Sequence, residues 1–201
     1  SVVPDSWTQA YSPWSDKAPL RTISPMLKGA DTLRTSLVPS LLEVRRINQS
    51  LANPSVELFE TAKIYLPQDE GLPEEQWTLG ITSGRDFHHL KGVIEAVLEA
   101  LKVEGELTIE ATKQNLLHAD YSASLKLAGE HFGFIGEVNT AGLKTFSLRS
   151  PASVAEIRMD LLVQNSTLIP QHSLLSNFPA ITRDLNIVLA ESVRWDALEV
   201  S

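Results

Sequence analysis

The amino-acid sequence predicts an α+β fold in which an antiparallel sheet is flanked by helices. Several short segments alternate apolar and polar residues, as strands do, and two longer segments repeat apolar residues at helical spacing. The strand-like segments follow one another in groups, which favours an antiparallel sheet over a doubly wound parallel one. With 201 residues, 43% of them hydrophobic, the chain can bury one sizeable core.

The first predicted helix spans residues 39–51. Leu41, Val44 and Leu51 are spaced to share one apolar face, and Pro39 stands where the first turn of a helix tolerates proline. We therefore expect this face to pack on the sheet.

The second predicted helix follows Ser83 and Asp86, which are spaced like a capping box. Gly92 inside this helix costs about 1 kcal/mol relative to alanine, so we expect close packing to require it. Lys91 is expected to pair with Glu95 one turn further on. The apolar residues that recur at helical spacing are Phe87, Leu90, Ile94, Val97, Leu98 and Leu101.

The predicted strands each place one face in the core and the other in solvent. In one of them, Trp77 and Ile81 are expected on the buried face. A hairpin turn is predicted at Gly129 and Glu130. The predicted strands cover residues 56–65, 77–82, 107–112, 122–127, 132–138 and 155–161. A polar connection at 163–173, a strand at 183–189 and the start of a helix at 193–200 are predicted to follow.

The charge distribution argues against a protein that grips nucleic acid by itself. The net charge is −8, and residues 51–110 carry twelve acidic against four basic side chains. Phosphate neutralisation needs a concentrated basic face, which the sequence lacks. No apolar run reaches the roughly 18 residues of a membrane helix, and no leader is expected at the N-terminus. The absence of cysteine excludes disulfides and thiolate metal sites.

Histidine and acidic clusters do not predict a catalytic or metal site. His88 and His89 are adjacent, so on a helix they point about 100° apart and cannot share a metal. The other histidines, His118, His131 and His172, lie far apart in the sequence. The paired acids at 74–75 and at 104 and 106 are interpreted as solvated loop residues. No Gly-x-Ser-x-Gly elbow, phosphate loop or dinucleotide fingerprint is present.

Three aromatic residues near the start, Trp7, Tyr11 and Trp14, leave two interpretations open. They could stack on nucleic-acid bases. The favoured interpretation is that they anchor the N-terminal segment against the sheet.

Five strings in a consistent order resemble the β subunit of bacterial-type phenylalanyl-tRNA synthetases. The first four resemble the catalytic-like core module of that subunit, and the last resembles the first strand of its ferredoxin-like anticodon-binding domain. The strings are LRTSLVPSLLEV at 33–44, LFE at 58–60, DFHHLKG at 86–92, FIGEV at 134–138 and FPAITRDL at 178–185. Two segments depart from the family: residues 118–121 replace its His-Pro-Gly-Arg, and residues 139–140 replace its His-Pro.

The resemblance implies a domain organisation and a role. Residues 1–165 would form a non-catalytic core module with a class II aminoacyl-tRNA synthetase-like fold. Residues 166–201 would form a linker and the first part of the anticodon-binding domain. In the family, a catalytic α subunit attaches phenylalanine to its tRNA with ATP and magnesium, in a cytoplasmic α₂β₂ complex. This chain alone would bind no cofactor and would be inactive.

The sequence itself also indicates that the active site is lost. Adenylate formation needs cationic side chains aimed at the phosphates. Class II enzymes have an arginine two places before an acid in one strand, whereas Glu60 follows Leu58 and Phe59 here. No glycine-rich strand that ends in arginine is apparent near the C-terminal strands.

The resemblance marks two sets of residues with candidate roles, none of them catalytic. Positions in the core module that would serve the subunit interface or the structure are Arg34, Ser36, Pro39, Glu60, Asp86, Lys91 and Gly92. Positions at the start of the anticodon-binding domain are Phe178, Pro179, Arg183 and Asp184.

Three functions remain open from the sequence. The leading hypothesis is a structural module that assembles with the α subunit. The second is an autonomous α+β enzyme with a small polar site, for which the sequence nominates no residues. The third is an autonomous RNA-binding module without a ligase role, which predicts salt-sensitive tRNA binding.

Overall fold

The computed structural model describes residues 1–24, 28–53, 55–167, 169, 181–184, 186–190 and 193. The chain divides into two compact units, Ser1–Leu168 and Ile169–Ser201. The helices are α1 (Asp5–Ala10), α2 (Val38–Ser50), α3 (Phe87–Ala100), α4 (Thr140–Thr145) and α5 (Met159–Gln164). The strands are β1 (Val2–Val3), β2 (Thr32–Leu33), β3 (Leu58–Leu66), β4 (Glu74–Ser83), β5 (Leu107–Ala111), β6 (Leu117–Leu127), β7 (Glu130–Val138) and β8 (Ser153–Arg158).

The first unit is built on a six-stranded sheet in the order β3-β4-β8-β7-β6-β5. Every neighbouring pair in it is antiparallel, and β1 and β2 form a separate two-stranded ladder. The predicted α+β class with an antiparallel sheet is therefore confirmed. No helix among the described residues is long and apolar enough to cross a bilayer.

Two layers cover the sheet, one on each face. On the α3 face, Leu90 and Ile94 of α3 and Leu161 of α5 pack against β8 residues Ala155 and Ile157 in the largest core cluster. This cluster buries apolar area, at roughly 25 cal/mol per Å², and thereby fixes α3 on the sheet.

On the opposite face, which we call the α2 face, α2 and the N-terminal segment pack against the sheet. Val38 and Leu42 of α2 contact Val154 of β8 in one cluster. Leu37 and Leu41 join Ile64 and Leu66 of β3 in another. The two faces of β8 are thus both buried.

The two long helices confirm the predictions from helical spacing, with ends within one or two residues of those expected. Lys91 Nζ lies 3.0 Å from Glu95 Oε1, as predicted. The assignment of the α2 faces is wrong in part: Leu41 is buried, but Val44 and Leu51 are exposed. The buried side of α2 continues through Leu42 and Arg45 instead, because Leu42 packs beside Val154 of β8 and Arg45 Nη1 donates to the Val56 carbonyl.

Two local predictions about α3 are wrong. The N-cap is Asp86, whose Oδ1 accepts from the His89 N–H at 2.9 Å. Ser83 instead accepts from the Arg85 N–H at 3.0 Å. Gly92 is exposed, and a Cβ added there would meet no atom within 4 Å. Close packing therefore does not explain this glycine.

The strand predictions are confirmed in position but need three corrections. The β6–β7 turn is Ala128-Gly129, whose φ values of 51° and 84° suit a two-residue type I′ turn, and Glu130 already belongs to β7. The strand predicted at 155–161 ends at Arg158, where α5 begins. Helix α5 also includes residues 163 and 164, which were predicted to belong to the polar connection at 163–173.

The third correction concerns β4. One face of this strand was predicted to be buried and the other to be exposed to solvent, and the structure differs. Trp77 is half exposed, whereas Thr78 and Thr82 on the supposedly polar face are fully buried. The reason is that α2 covers the face of β4 that carries Thr78 and Thr82. Gly80 allows this close approach of the helix, because a Cβ at position 80 would lie 2.9 Å from Leu37 Cβ. Glu74 and Glu75, predicted as loop acids, begin β4.

The described residues of the second unit form no strand. Residues 183, 184 and 186–190 of the strand predicted at 183–189 are exposed and irregular. A strand needs a neighbour to pair its backbone groups, and none of the described residues supplies one here. Apart from Val193, the helix start predicted at 193–200 lies outside the described residues.

Candidate functional site

The most unusual group in the sheet is the carboxyl of Glu156, at the centre of β8. Only 1% of Glu156 is exposed. Its side chain lies on the α2 face, because Ala155 and Ile157 on either side of it point into the α3-face core. A buried carboxyl requires partners for its oxygens, since an unpaired one would cost several kcal/mol.

Four donors surround this carboxyl, and they come from two distant parts of the chain. Glu156 Oε1 accepts from Ser36 Oγ at 3.0 Å, from the Val38 N–H at 3.2 Å and from the Leu37 N–H. Its Oε2 accepts from Trp14 Nε1 at 2.7 Å. The carboxyl therefore ties the first turn of α2 and the N-terminal segment to the middle of the sheet.

The protonation of Glu156 reflects a balance between burial and hydrogen bonding. Burial raises the pKa of the Glu156 carboxyl, and the donors from Trp14, Leu37, Ser36 and Val38 oppose that rise because they stabilise the ionised form. The start of α2 adds favourable dipoles for negative charge. Burial outweighs these donors, so the pKa stays above its ordinary value.

An aromatic cluster fills the space beside the carboxyl. The Trp14 ring packs edge-on against His131 and Phe134, with ring centroids 5.3 and 5.1 Å away. Burial lowers the pKa of His131, and the positive charges of Arg158 and Lys126 lower it further. Since the indole lies against the strands, this part of the sheet is covered by the chain itself.

Three cations of the first unit are paired with carboxylates. Arg158 bonds Asp160, Lys126 Nζ lies 2.6 Å from Glu110 Oε1, and Arg34 Nη1 lies 2.8 Å from Glu60 Oε1. β8 does end in an arginine, but it contains no glycine.

This donor set does not fit a nucleotide. Triphosphate binding needs cations or free N–H groups aimed at the phosphates, whereas the centre of this face holds a carboxyl whose oxygens are occupied. The described residues also contain no group of three His, Asp or Glu side chains that could hold a metal ion. The arrangement can therefore position α2 and the N-terminal segment.

Three of the candidate residues from the sequence are buried. Ser36 bonds Glu156, Pro39 is buried in the first turn of α2, and Arg34 is buried with its Nε donating to the Lys63 carbonyl at 3.0 Å. Glu60 is the ion-pair partner of Arg34.

Three more candidates belong to the other face of the sheet. Asp86, Lys91 and Gly92 lie on α3, which packs on the other face of the sheet. Arg183 and Asp184 are exposed. Phe178 and Pro179 lie outside the described residues.

Two important polar residues were not singled out from the sequence. Glu156 was assigned to the solvated side of a strand together with Arg158 and Asp160, so the alternation gave no signal of its burial. Asn139 caps α4 by accepting from the Gly142 N–H at 2.8 Å, and its amide donates to the Asn115 and Leu117 carbonyls. By contrast, the anchoring role favoured for Tyr11 and Trp14 is confirmed.

The solved structures that resemble this chain show its fold. A pyrrolysyl-tRNA synthetase from Desulfitobacterium hafniense superposes with a TM-score of 0.60 at 16% identity, covering 81% of this chain and 60% of the other. At that identity the similarity describes the architecture only, and it confirms the synthetase-like sheet that the resemblance implied.

Sequence comparisons identify relatives across nearly the whole chain. The phenylalanine–tRNA ligase beta subunit of Rhodopirellula baltica is 40% identical over 209 residues, which cover 98% of this chain and 31% of that protein. The corresponding subunit of Bacillus cereus is 31% identical over 195 residues, covering 90% of this chain and 24% of that protein. The chain therefore spans less than a third of the length of these relatives. Residues 1–159 match the family described as phenylalanyl tRNA synthetase beta chain CLM domain, and the chain belongs to that family.

Proposed function

We propose that this chain is a non-catalytic part of the β subunit of a phenylalanine–tRNA ligase. In this role it helps to assemble the complex with a catalytic α subunit, which attaches phenylalanine to its tRNA using ATP and magnesium. The proposal is supported by the family match and by relatives that are named as beta subunits of this ligase.

The observation that carries the non-catalytic role is the occupied α2 face. Trp14 covers the strands, the Glu156 carboxyl lies at their centre, and Arg34 is held by Glu60. Adenylate formation builds negative charge that preorganised cations must stabilise. A buried carboxyl at the centre of the sheet would oppose that chemistry.

The surface that supports assembly is an apolar stripe on the outer side of α2. Val44, Ile47 and Leu51 follow one another at helical spacing and are between 43% and 70% exposed. No described residue covers them completely. Because the hydrogen bonds of Glu156 fix the first turn of α2, and Arg45 Nη1 donates to the Val56 carbonyl at 2.6 Å, the stripe is held in one orientation. We propose that the α subunit packs on it.

The alternative of an autonomous RNA-binding module has no specific support. Arg183 and Asp184 carry opposite charges, and the chain as a whole is acidic. Any contact with tRNA is better assigned to the complete complex.

The assembly role can be tested with one matched pair of substitutions. The 201-residue chain is co-purified with the α subunit of the same organism, and the affinity is measured by calorimetry. Ile47→Lys places a charge in the stripe and should weaken binding by about tenfold or more. The control, Leu72→Lys, changes an exposed leucine in the loop before β4 and should change binding less than about twofold.

The non-catalytic role needs a separate measurement. ATP–pyrophosphate exchange should be absent for the chain alone and present for the α subunit in its complex. Exchange by the chain alone would refute that role. Failure to form a complex, or equal effects of the two lysine substitutions, would refute the assembly role.

A further inference from the structure

We draw no further inference here: the strongest candidate, the open apolar face of β3 and β4 around Phe59 and Trp77, carries none because nothing in the described part of the chain shows what covers it.

Discussion

Trp14 Nε1 donates to Glu156 Oε2 at 2.7 Å and so joins two residues that lie 142 positions apart. The bond links the N-terminal segment, which precedes every strand of the large sheet, to the last of those strands. Because Glu156 also accepts from the first turn of α2, one carboxyl holds three parts of the α2 face together.

Removing only the indole donor should show how much this bond contributes. Trp14→Phe keeps an aromatic ring against His131 and Phe134 but leaves Glu156 with one donor fewer. We expect the free energy of unfolding to fall by about 1–3 kcal/mol, measured by urea denaturation. The control is Trp77→Phe, which alters a half-exposed ring and should change stability by less than about 0.5 kcal/mol. Equal losses in the two variants would contradict this account.

The raised pKa of Glu156 predicts a pH-dependent difference between the natural chain and Glu156→Gln. A group whose pKa is higher in the folded state contributes stability that is complete below its unfolded pKa, 4.5 for glutamate, and is lost as the pH rises through the folded value. The advantage of the natural chain over Glu156→Gln should therefore shrink as the pH is raised from 4. Urea denaturation at a series of pH values measures it. A constant or growing advantage would show that burial does not dominate the ionisation of Glu156.

His131 should contribute a pH dependence of the opposite sign. Its pKa is lowered from 6.5 by burial and by the charges of Arg158 and Lys126, so the contribution is present above pH 6.5 and is lost as the pH falls through the folded value. His131→Phe keeps the edge-on ring contacts and removes the titrating group. We expect the natural chain, but not this variant, to lose that stability on acidification. NMR titration of the ring protons of His131 gives the folded pKa directly, and a value at or above 6.5 would contradict the prediction.

Two glycines should respond to alanine in opposite ways. Gly92 lies inside α3 with no atom within 4 Å of an added Cβ, so Gly92→Ala should stabilise the chain by about 0.5–1 kcal/mol. At Gly133 of β7, an added Cβ would lie 2.0 Å from the Glu156 carbonyl oxygen. Gly133→Ala should therefore prevent correct pairing of β7 with β8. Melting temperatures measured by circular dichroism compare the two, and a destabilising Gly92→Ala would contradict the open space around this glycine.

Much of the fold follows from local pattern. The apolar spacing of α3 depends only on residues within a few turns of one another, as does the Lys91–Glu95 pair, and both agree with the structure. The alternation of apolar and polar residues also depends only on near neighbours in the sequence, and it located the strands of the large sheet. The ordered strings of the family, such as DFHHLKG at 86–92, identified the relatives before any contact was known.

The candidate site could not be predicted in this way, because its partners come from distant segments. Period-two alternation separates the two faces of a strand but does not say which helix will cover each face. Glu156 was therefore assigned to solvent, although Trp14 and the first turn of α2 enclose it, and Trp77 was assigned to the core, although no described helix covers it.

By itself the sequence determined the two long helices, the positions of the strands of the large sheet and the family, since these depend on short-range spacing and on strings of residues. Only the tertiary structure decided that a carboxyl is buried at the centre of the sheet and that Trp77 of β4 is half exposed. The physical reason is that the burial of a side chain depends on what packs against it, and for Glu156 those groups come from parts of the chain more than a hundred residues away.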